Sequence, residues 1–406
     1  MILGKTACYV ATWMVLALVA AGCSPVVAGH AHRDPAFSEW AAIPALLNPG
    51  NYPTTPLPPF GTAEQDGRNG AVLEGQRMAA YVVGPWEVDP ALVDSVVTET
   101  LVLKDATAIS ALLTDPVQFL AAQHHFVVGF SSNRTASTPT GWAKALTNSV
   151  WEFATPEDAL GAALEISQQA PALPARDPGS SHPVPGYPQA LARSRILDGG
   201  TGTVESFTPH GKYVIYNYSR NQNGDIAEAA ARITKILDLQ LPRIDEFRAT
   251  DPAQFPNLPV DPTGVLTRTL PMPHENLTVQ NGVYEPRAAL HFEADPITSA
   301  KLFADTGMRM QGVGAATAVY QTRDESAAKT LFNGIRQRIT EASDYTPLPP
   351  LNGLPSAVCT GKADNAPRSI YQCLLTAGNY VAVVLATREE ELLQKAAAQY
   401  LIFVAP

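Results

Sequence analysis

Cysteine is scarce in this chain, with four residues in 406. Charged side chains make up only 16% of it, and 38 acidic residues outnumber 28 basic ones for a net charge of −10. A surface of that sign repels a phosphate backbone, so nucleic acid is excluded as a partner. No G-x-S-x-G turn occurs, which removes the commonest serine-esterase arrangement. H-E-x-x-H is absent too, and with it the helical histidine pair that would hold zinc beside a general base. No metal and no cofactor are expected. Beyond residue 22 no apolar run approaches the about 20 residues needed to cross a bilayer.

One apolar run is present, at the start. Lys5 is the single charged side chain of residues 1–22, and the stretch from Tyr9 to Ala21 has none, which is a signal-peptide pattern too short for a stop-transfer anchor. The run ends in "VAAGCS", with Ala20, Ala21 and Gly22 ahead of Cys23. This resembles the lipobox of bacterial lipoproteins, except that Ala20 stands where leucine is usual. The resemblance implies cleavage before Cys23 and acylation of its sulfur and new amine. Each buried methylene contributes about 0.8 kcal/mol, so two or more acyl chains would hold the protein on the extracytoplasmic face of the cell membrane. Cys8 leaves with the signal, so Cys359 and Cys373 remain as one pair in a disulfide-permissive compartment.

The body reads as one unit used twice. "PVPGYPQALA" from Pro183 faces "PLNGLPSAVC" from Pro350, and "GKYVIYNYS" from Gly211 faces "GNYVAVVLA" from Gly378, all at an offset of 167. The same offset brings Thr155 and Asp158 onto Thr322 and Glu325, a capping-box pattern in both copies. Asp115-Pro116 and Asp295-Pro296 read as two further helix starts, 180 apart, so copy one holds thirteen extra residues. The polar stretch "SSNRTASTPTGW" is the natural place for them, as a surface loop. Each copy then runs helix, strand, strand, helix, Pro-bearing loop, three strands, helix. Groups of strands on short turns with helices between them argue for α+β: two tandem related domains, each an antiparallel sheet with helices on one face. Cys359 and Cys373 fall on successive strands, and their counterparts are Ala192 and Ser206.

The divisions follow: signal peptide 1–22; lipidated, Pro-rich tether 23–62; N-terminal domain 63–249; Pro-rich linker 250–273; C-terminal domain 274–406. "GNYPTTPLPPF", residues 50–60, would span part of the tether as an extended segment.

Chemistry is hard to find. Ser326 and Lys329 make S-x-x-K, but on an exposed helix start without the companion motifs. His30 and His32, and the adjacent His124 and His125, lack spaced carboxylates. "NQNGD" lacks the terminal glutamate of a calcium loop and reads as a turn with Asp225 as N-cap. Trp151 and Tyr216 alternate with polar neighbours and read as sheet packing. Trp142, an isolated indole in the polar insertion, is the candidate for ligand or partner contact.

The lipobox, "GNYPTTP", "EGQRMAAYVVGPWEVDP" and the duplicated body together resemble a family of uncharacterised actinobacterial cell-envelope lipoproteins. That resemblance implies an envelope location and no established activity, and, because Asn51 and Tyr52 belong to its signature, that residues 50–60 lie partly against the body. The strand, capped helix and Cys-bearing hairpin also resemble extracellular sensor domains of actinobacterial kinases, an analogy of fold. Two functions stay open. The first is non-enzymatic binding or sensing of an envelope lipid, glycan or protein, in the cleft between copies or at the insertion. The second is a cell-wall or lipid hydrolase or transferase whose site no motif reveals. Convergent titratable groups in a pocket would favour the second, and an apolar groove the first.

Overall fold

The computed structural model describes residues 41–95, 100–113, 115–139, 141–169, 179–314, 316–342, 345–362 and 370–406. The chain divides into Met1–Ala41 and Ala42–Pro406, and the second unit holds every element below. In order these are α1 (Gly70–Met78), β1 (Asp94–Ser95), β2 (Leu101–Leu103), α2 (Asp115–Gln123), β3 (Phe126–Thr138), β4 (Gly141–Phe153) and α3 (Pro156–Gln169). There follow β5 (Ser180–Ser181), β6 (Leu191–Ile196), β7 (Gly202–His210), β8 (Tyr213–Asn221) and α4 (Ile226–Asp245). The second half has β9 (Gly282–Tyr284), α5 (Pro296–Thr306), β10 (Met310–Val313), β11 (Thr317–Gln321) and α6 (Glu325–Glu341). It closes with β12 (Tyr345–Pro347), β13 (Val358–Lys362), β14 (Tyr371–Ala377), β15 (Tyr380–Ala386) and α7 (Glu389–Val404).

The two halves share one topology. The first sheet is ordered β1-β3-β4-β8-β7-β6-β5 with β2 also on β3, and the second, read from its other edge, β9-β10-β11-β15-β14-β13-β12. Every strand pair is antiparallel, so the α+β class and the two related domains expected from the sequence are present. Identities between the copies have local causes. Gly211 and Gly378, at φ 53° and 54°, each take the first central position of a two-residue hairpin, where glycine adopts a positive φ without strain. Cys359 and Cys373 are bonded, with Cα atoms 4.1 Å apart, and they pair directly across β13 and β14. Ala192 and Ser206 pair in the same way across β6 and β7.

Helices cover both faces of each sheet rather than one. Trp151, Val214 and Tyr216 face α3, while Val150, Tyr213 and Ile215 face the other way, into the core that includes Ile233 and Leu237 of α4. In the second sheet Leu374 and Val381 turn toward α6, and Cys373, Leu375 and Ala382 toward α7. Burial on both faces makes Gly202–His210 and Tyr213–Asn221 nearly continuous in burial, which alternation of residue types does not disclose.

The register also corrects the offset. Glu152 opposes Tyr213 as Gln321 opposes Tyr380, so β4 and β11 are related by 169, not 167. The same 169 relates Ala159, Ala162, Ala163 and Ile166 of α3 to Ala328, Leu331, Phe332 and Ile335 of α6, all buried. Accordingly Thr155 caps α3 with Asp158, whose amide donates to the threonine hydroxyl at 3.1 Å, whereas α6 is capped by Asp324. Thr322 is not a cap, because its hydroxyl is bound to the carbonyls of Asp324 and Asn379.

The extra residues of copy one are not a loop. They lengthen β3 and β4 to 13 residues each, against 4 and 5 in β10 and β11. Ser131, Ser132, Asn133 and Arg134 are buried there, for a reason that lies in the other half of the chain. Arg134 Nη1 donates to the carbonyls of Val93 (2.6 Å) and Glu293 (2.9 Å), and Nη2 to those of Leu290 (3.2 Å) and His291 (2.6 Å). The guanidinium thus satisfies carbonyls at the end of a helical turn that leads into α5, and its plane lies over the Trp86 ring at 5.1 Å. Ser132 Oγ meets His291 Nδ1 at 2.8 Å. The hairpin extension of copy one therefore fastens copy two, and one hydrophobic core runs through both, from Phe130 and Ile215 to Tyr320 and Leu374.

The Pro-rich segments are docked. Phe255, Leu258, Val260 and Leu266 bury themselves with Leu73 of α1. Leu47 is buried in the core under α7, the Ile43 amide donates to the Gly353 carbonyl at 2.7 Å, and Lys395 lies 5.9 Å from the Tyr52 ring. Residues 43–57 thus lie against the C-terminal half, as expected for "GNYPTTP".

Candidate functional site

The face of the second sheet beneath α6 is a set of cross-strand rows. Gln311, Tyr320 and Val381 form one; Val313, Ala318, Val383 and Leu374 the next; Leu385 and Gln372 the third. The equivalent rows of the first sheet are Gly129, Trp151, Val214; Ser131, Ser149, Tyr216, Phe207; and Tyr218, Glu205. In the first sheet Trp151 stacks on Tyr216 with ring centroids 5.4 Å apart, and Phe207 sits 5.0 Å from Tyr216. All three aromatics are at most 2% exposed. Their counterparts are Tyr320, Val383 and Leu374, so three ring systems become one.

The overlying helices compensate in part. Ala162 and Ala163 of α3 face the aromatics, and Leu331 and Phe332 of α6 face the smaller side chains. Compensation stops at Ile335. Past that point a cavity of about 510 Å³ opens between Ile335 and Ile339 of α6, with Ala342 just beyond its end, and Tyr320, Gln372 and Val383 of the sheet. That size is ordinary for a small-molecule site, as is a mainly apolar wall with a few fixed polar groups.

The polar groups cluster at one end. Glu293 is buried at 7% exposure; its Oε1 accepts from the Tyr320 hydroxyl at 2.7 Å and its Oε2 from Ser299 Oγ at 2.8 Å. Arg338 Nη1 donates to Ser299 Oγ at 2.8 Å, and its Nη2 stands 3.7 Å from Glu293 Oε2. Burial, reinforced by the charge of Glu293, holds the Tyr320 hydroxyl well above its ordinary pKa, so it stays a neutral donor. Asp295 caps α5 through the Thr298 amide at 3.0 Å. Burial pushes its carboxyl up, but hydrogen bonds from Thr298 and the charge of Arg338 outweigh that and hold it below its usual range. At equivalent helical positions copy one has Leu113 for Glu293 and Gln169 for Arg338, so the network belongs to copy two.

The residues singled out by sequence lie elsewhere. Trp142 is half-buried on β4, near the hairpin tip, with the Arg220 guanidinium 4.8 Å from its ring. Cys359 and Cys373 are buried on the α7 side of the second sheet, opposite the cavity. Cys23, His30 and His32 lie outside the described residues. Lys329 pairs with Glu325 at 2.6 Å on the exposed side of α6, next to Ser326. His124 meets Glu165 at 3.1 Å and His125 meets Asp158 at 3.0 Å, both on α3. Asp225 caps α4. Sequence reading missed Glu293, Ser299, Tyr320, Arg338 and Val383. A position-by-position comparison of the copies at the right offset would have found them, because the signal is a difference between duplicates rather than a motif.

Residues 61–260 match the N-terminal part, and residues 265–405 the C-terminal part, of a family described as a domain of unknown function, DUF7373. A search of curated proteins finds no match. Among solved structures, the extracellular domain of PknH from Mycobacterium tuberculosis aligns at 14% identity and a TM-score of 0.27, over 40% of this chain and 96% of that one. A likeness of that size carries no conclusion about fold or function here. With the N- and C-terminal parts matched in sequence order over most of its length, the chain belongs to the DUF7373 family.

Proposed function

We propose that this protein is a lipid-anchored envelope protein of actinobacterial type that binds a small amphipathic molecule in the cavity of its second domain and performs no chemistry on it. The observation that carries the reading is the divergence of the duplicates: Trp151, Tyr216 and Phe207 fill in copy one the space that Tyr320, Val383 and Leu374 leave in copy two. Loss of core volume costs stability, about 2–5 kcal/mol for a large-to-small change. A cavity kept open beside a buried carboxylate, each of whose oxygens accepts one hydrogen bond, is therefore better understood as a site than as slack packing. The anchor rests on "VAAGCS", with Cys23 as the acylated residue, and places the protein on the extracytoplasmic face of the membrane. The ligand is then an envelope lipid, glycan fragment or similar small molecule.

A hydrolase or transferase is the second reading, and Glu293 and Tyr320 do converge on the cavity. Their bonds argue against it. Both carboxylate oxygens of Glu293 already accept, the tyrosine donates to one of them, and Ser299 is fully buried between Glu293 and Arg338. No group there is placed as a nucleophile with a free base beside it.

Native mass spectrometry of the chain taken from its own envelope tests the reading. A retained non-covalent mass is expected in the wild type and its loss in Val383→Tyr. An empty wild type, or an equal load in both, would overturn it. Turnover of an envelope substrate, abolished by Glu293→Gln, would establish the enzyme instead. Cys23→Ala should separate the chain from the membrane, and normal attachment would remove the anchor.

A further inference from the structure

The cavity has a neighbour on the same sheet face. A second, of about 580 Å³, is lined by Val313, Ala318, Val383 and Leu385, with Met272 and Thr278 contributed by the stretch before β9. Val383 belongs to both walls. The floor between them is the row Val313, Ala318, Val383, with Leu385 beside it. Leu385 is 41% exposed, and the other three are half-buried. In the first sheet the row equivalent to Val313, Ala318 and Val383 is Ser131, Ser149 and Tyr216, all buried. A strip covered in one copy thus lies open in the other, and it is floored by small apolar side chains.

Resting on the cavity reading above, we propose that the two cavities form one groove whose occupant is a single unbranched alkyl chain, with a hydrogen-bond-donating head, hydroxyl or amine, at the Glu293 end. The chain follows from the floor. It is narrow, apolar and continuous through Val383, and adjacent strands about 4.8 Å apart offer a shallow track suited to an extended chain. The head follows from charge. Glu293 and Asp295 stand beside one guanidinium, that of Arg338, and the exposed Glu341 lines the same cavity. Each carboxylate oxygen has two lone pairs, and those of Glu293 each take one donor from Tyr320 or Ser299, which leaves acceptor capacity toward the cavity. An anionic head would meet more carboxylate than guanidinium charge there.

The test uses the chain from residue 24 onward, which keeps the whole of Ala42–Pro406, a compact unit by itself. Calorimetric titration with hexanol through tetradecanol should show affinity rising about fourfold per added methylene, past the length that fills the first cavity. Leu385→Glu, at an exposed position on the strip, should lower tetradecanol affinity about tenfold and leave hexanol unchanged. Tetradecylamine should bind at least about tenfold more tightly than tetradecanoate. If affinity stops rising at short lengths and Leu385→Glu leaves tetradecanol unaffected, the groove is wrong while hexanol binding keeps the cavity. Tighter binding of tetradecanoate overturns the head assignment. If no probe of any length binds, the groove and the cavity reading fall together.

Discussion

Ala192 lies directly opposite Ser206 in the first sheet, at the position where Cys359 and Cys373 are bonded in the second. The two halves keep this site in register although only one is bridged. Ala192→Cys with Ser206→Cys is therefore expected to close a second disulfide on oxidation, seen as loss of both thiols. By the chain-entropy estimate a loop this short adds about 3 kcal/mol, and Cys359→Ala with Cys373→Ala should remove a similar amount. Urea midpoints with and without reductant check both directions; thiols that stay free in the oxidised double variant would refute the shared register.

The equivalent positions Tyr216 and Val383 should respond in opposite ways. Tyr216→Val removes a ring packed between Trp151 and Phe207 and the donor that its hydroxyl gives Glu205 at 3.2 Å. A loss of about 3–5 kcal/mol is expected. Val383→Tyr fills space that is already open and should change stability by less than about 1 kcal/mol. Equal destabilisation in urea melts would mean that the copy-two cavity is closed in solution.

Arg134 should be worth more than a surface arginine. It is buried and donates to four carbonyls, three of them in the other half of the chain. Burial holds its pKa down to about 10, still well above neutrality, so it is charged wherever the protein is folded near pH 7. Arg134→Met removes the guanidinium donors from those carbonyls, of which Leu290 keeps the Glu293 amide, and should cost about 3–5 kcal/mol, with Arg134→Lys recovering little because an ammonium cannot span the fork. Full rescue by lysine would show that charge alone matters there.

How much of this was legible in the sequence depends on what each feature needed. The strands, the hairpin cysteines and the Asp295 and Asp225 caps follow from local chemistry or from the repeat, the docked "GNYPTTP" segment follows from the family resemblance, and the structure has them all. The insertion was misread because Ser131 to Arg134 are polar. Their partners, Thr100, His291 and the carbonyls of residues 290–293, are distant in sequence, and a polar run with remote partners looks like a loop. The second cap was misplaced because Thr322 and Glu325 fit a pattern by coincidence, while Asp324, one residue before Glu325, fits the geometry. The cavity was invisible for another reason. Volume is a property of Ile335, Gln372 and Val383 together, and no spacing records it.

His291 gives a pH dependence with a definite sign. Its Nε2 faces the Ala79 carbonyl at 3.0 Å and its Nδ1 the Ser132 hydroxyl at 2.8 Å, while Trp86 and Phe130 pack around the ring. Burial lowers its pKa from 6.5 to about 4, with the Glu87 charge opposing and Arg134 adding to the shift. The unfolded chain takes up this proton near pH 6.5 and the folded one only near pH 4, so the contribution is intact above pH 6.5 and is lost as pH falls toward 4. The loss is about 3 kcal/mol over that window. His291→Gln should be the less stable protein at neutral pH, with the gap to wild type narrowing by roughly that amount as pH falls. A gap that stays constant between pH 7 and 4.5 would contradict a neutral buried imidazole.

On the proposed function, the second domain keeps open, for a ligand, the space that aromatics fill in the first. A crystal structure of the protein purified from its native source measures this directly. Elongated density is expected over Ala318 and Val383 beneath α6, with its polar end at Glu293. A cavity holding only water, or closed by Ile335 meeting Val383, would contradict it.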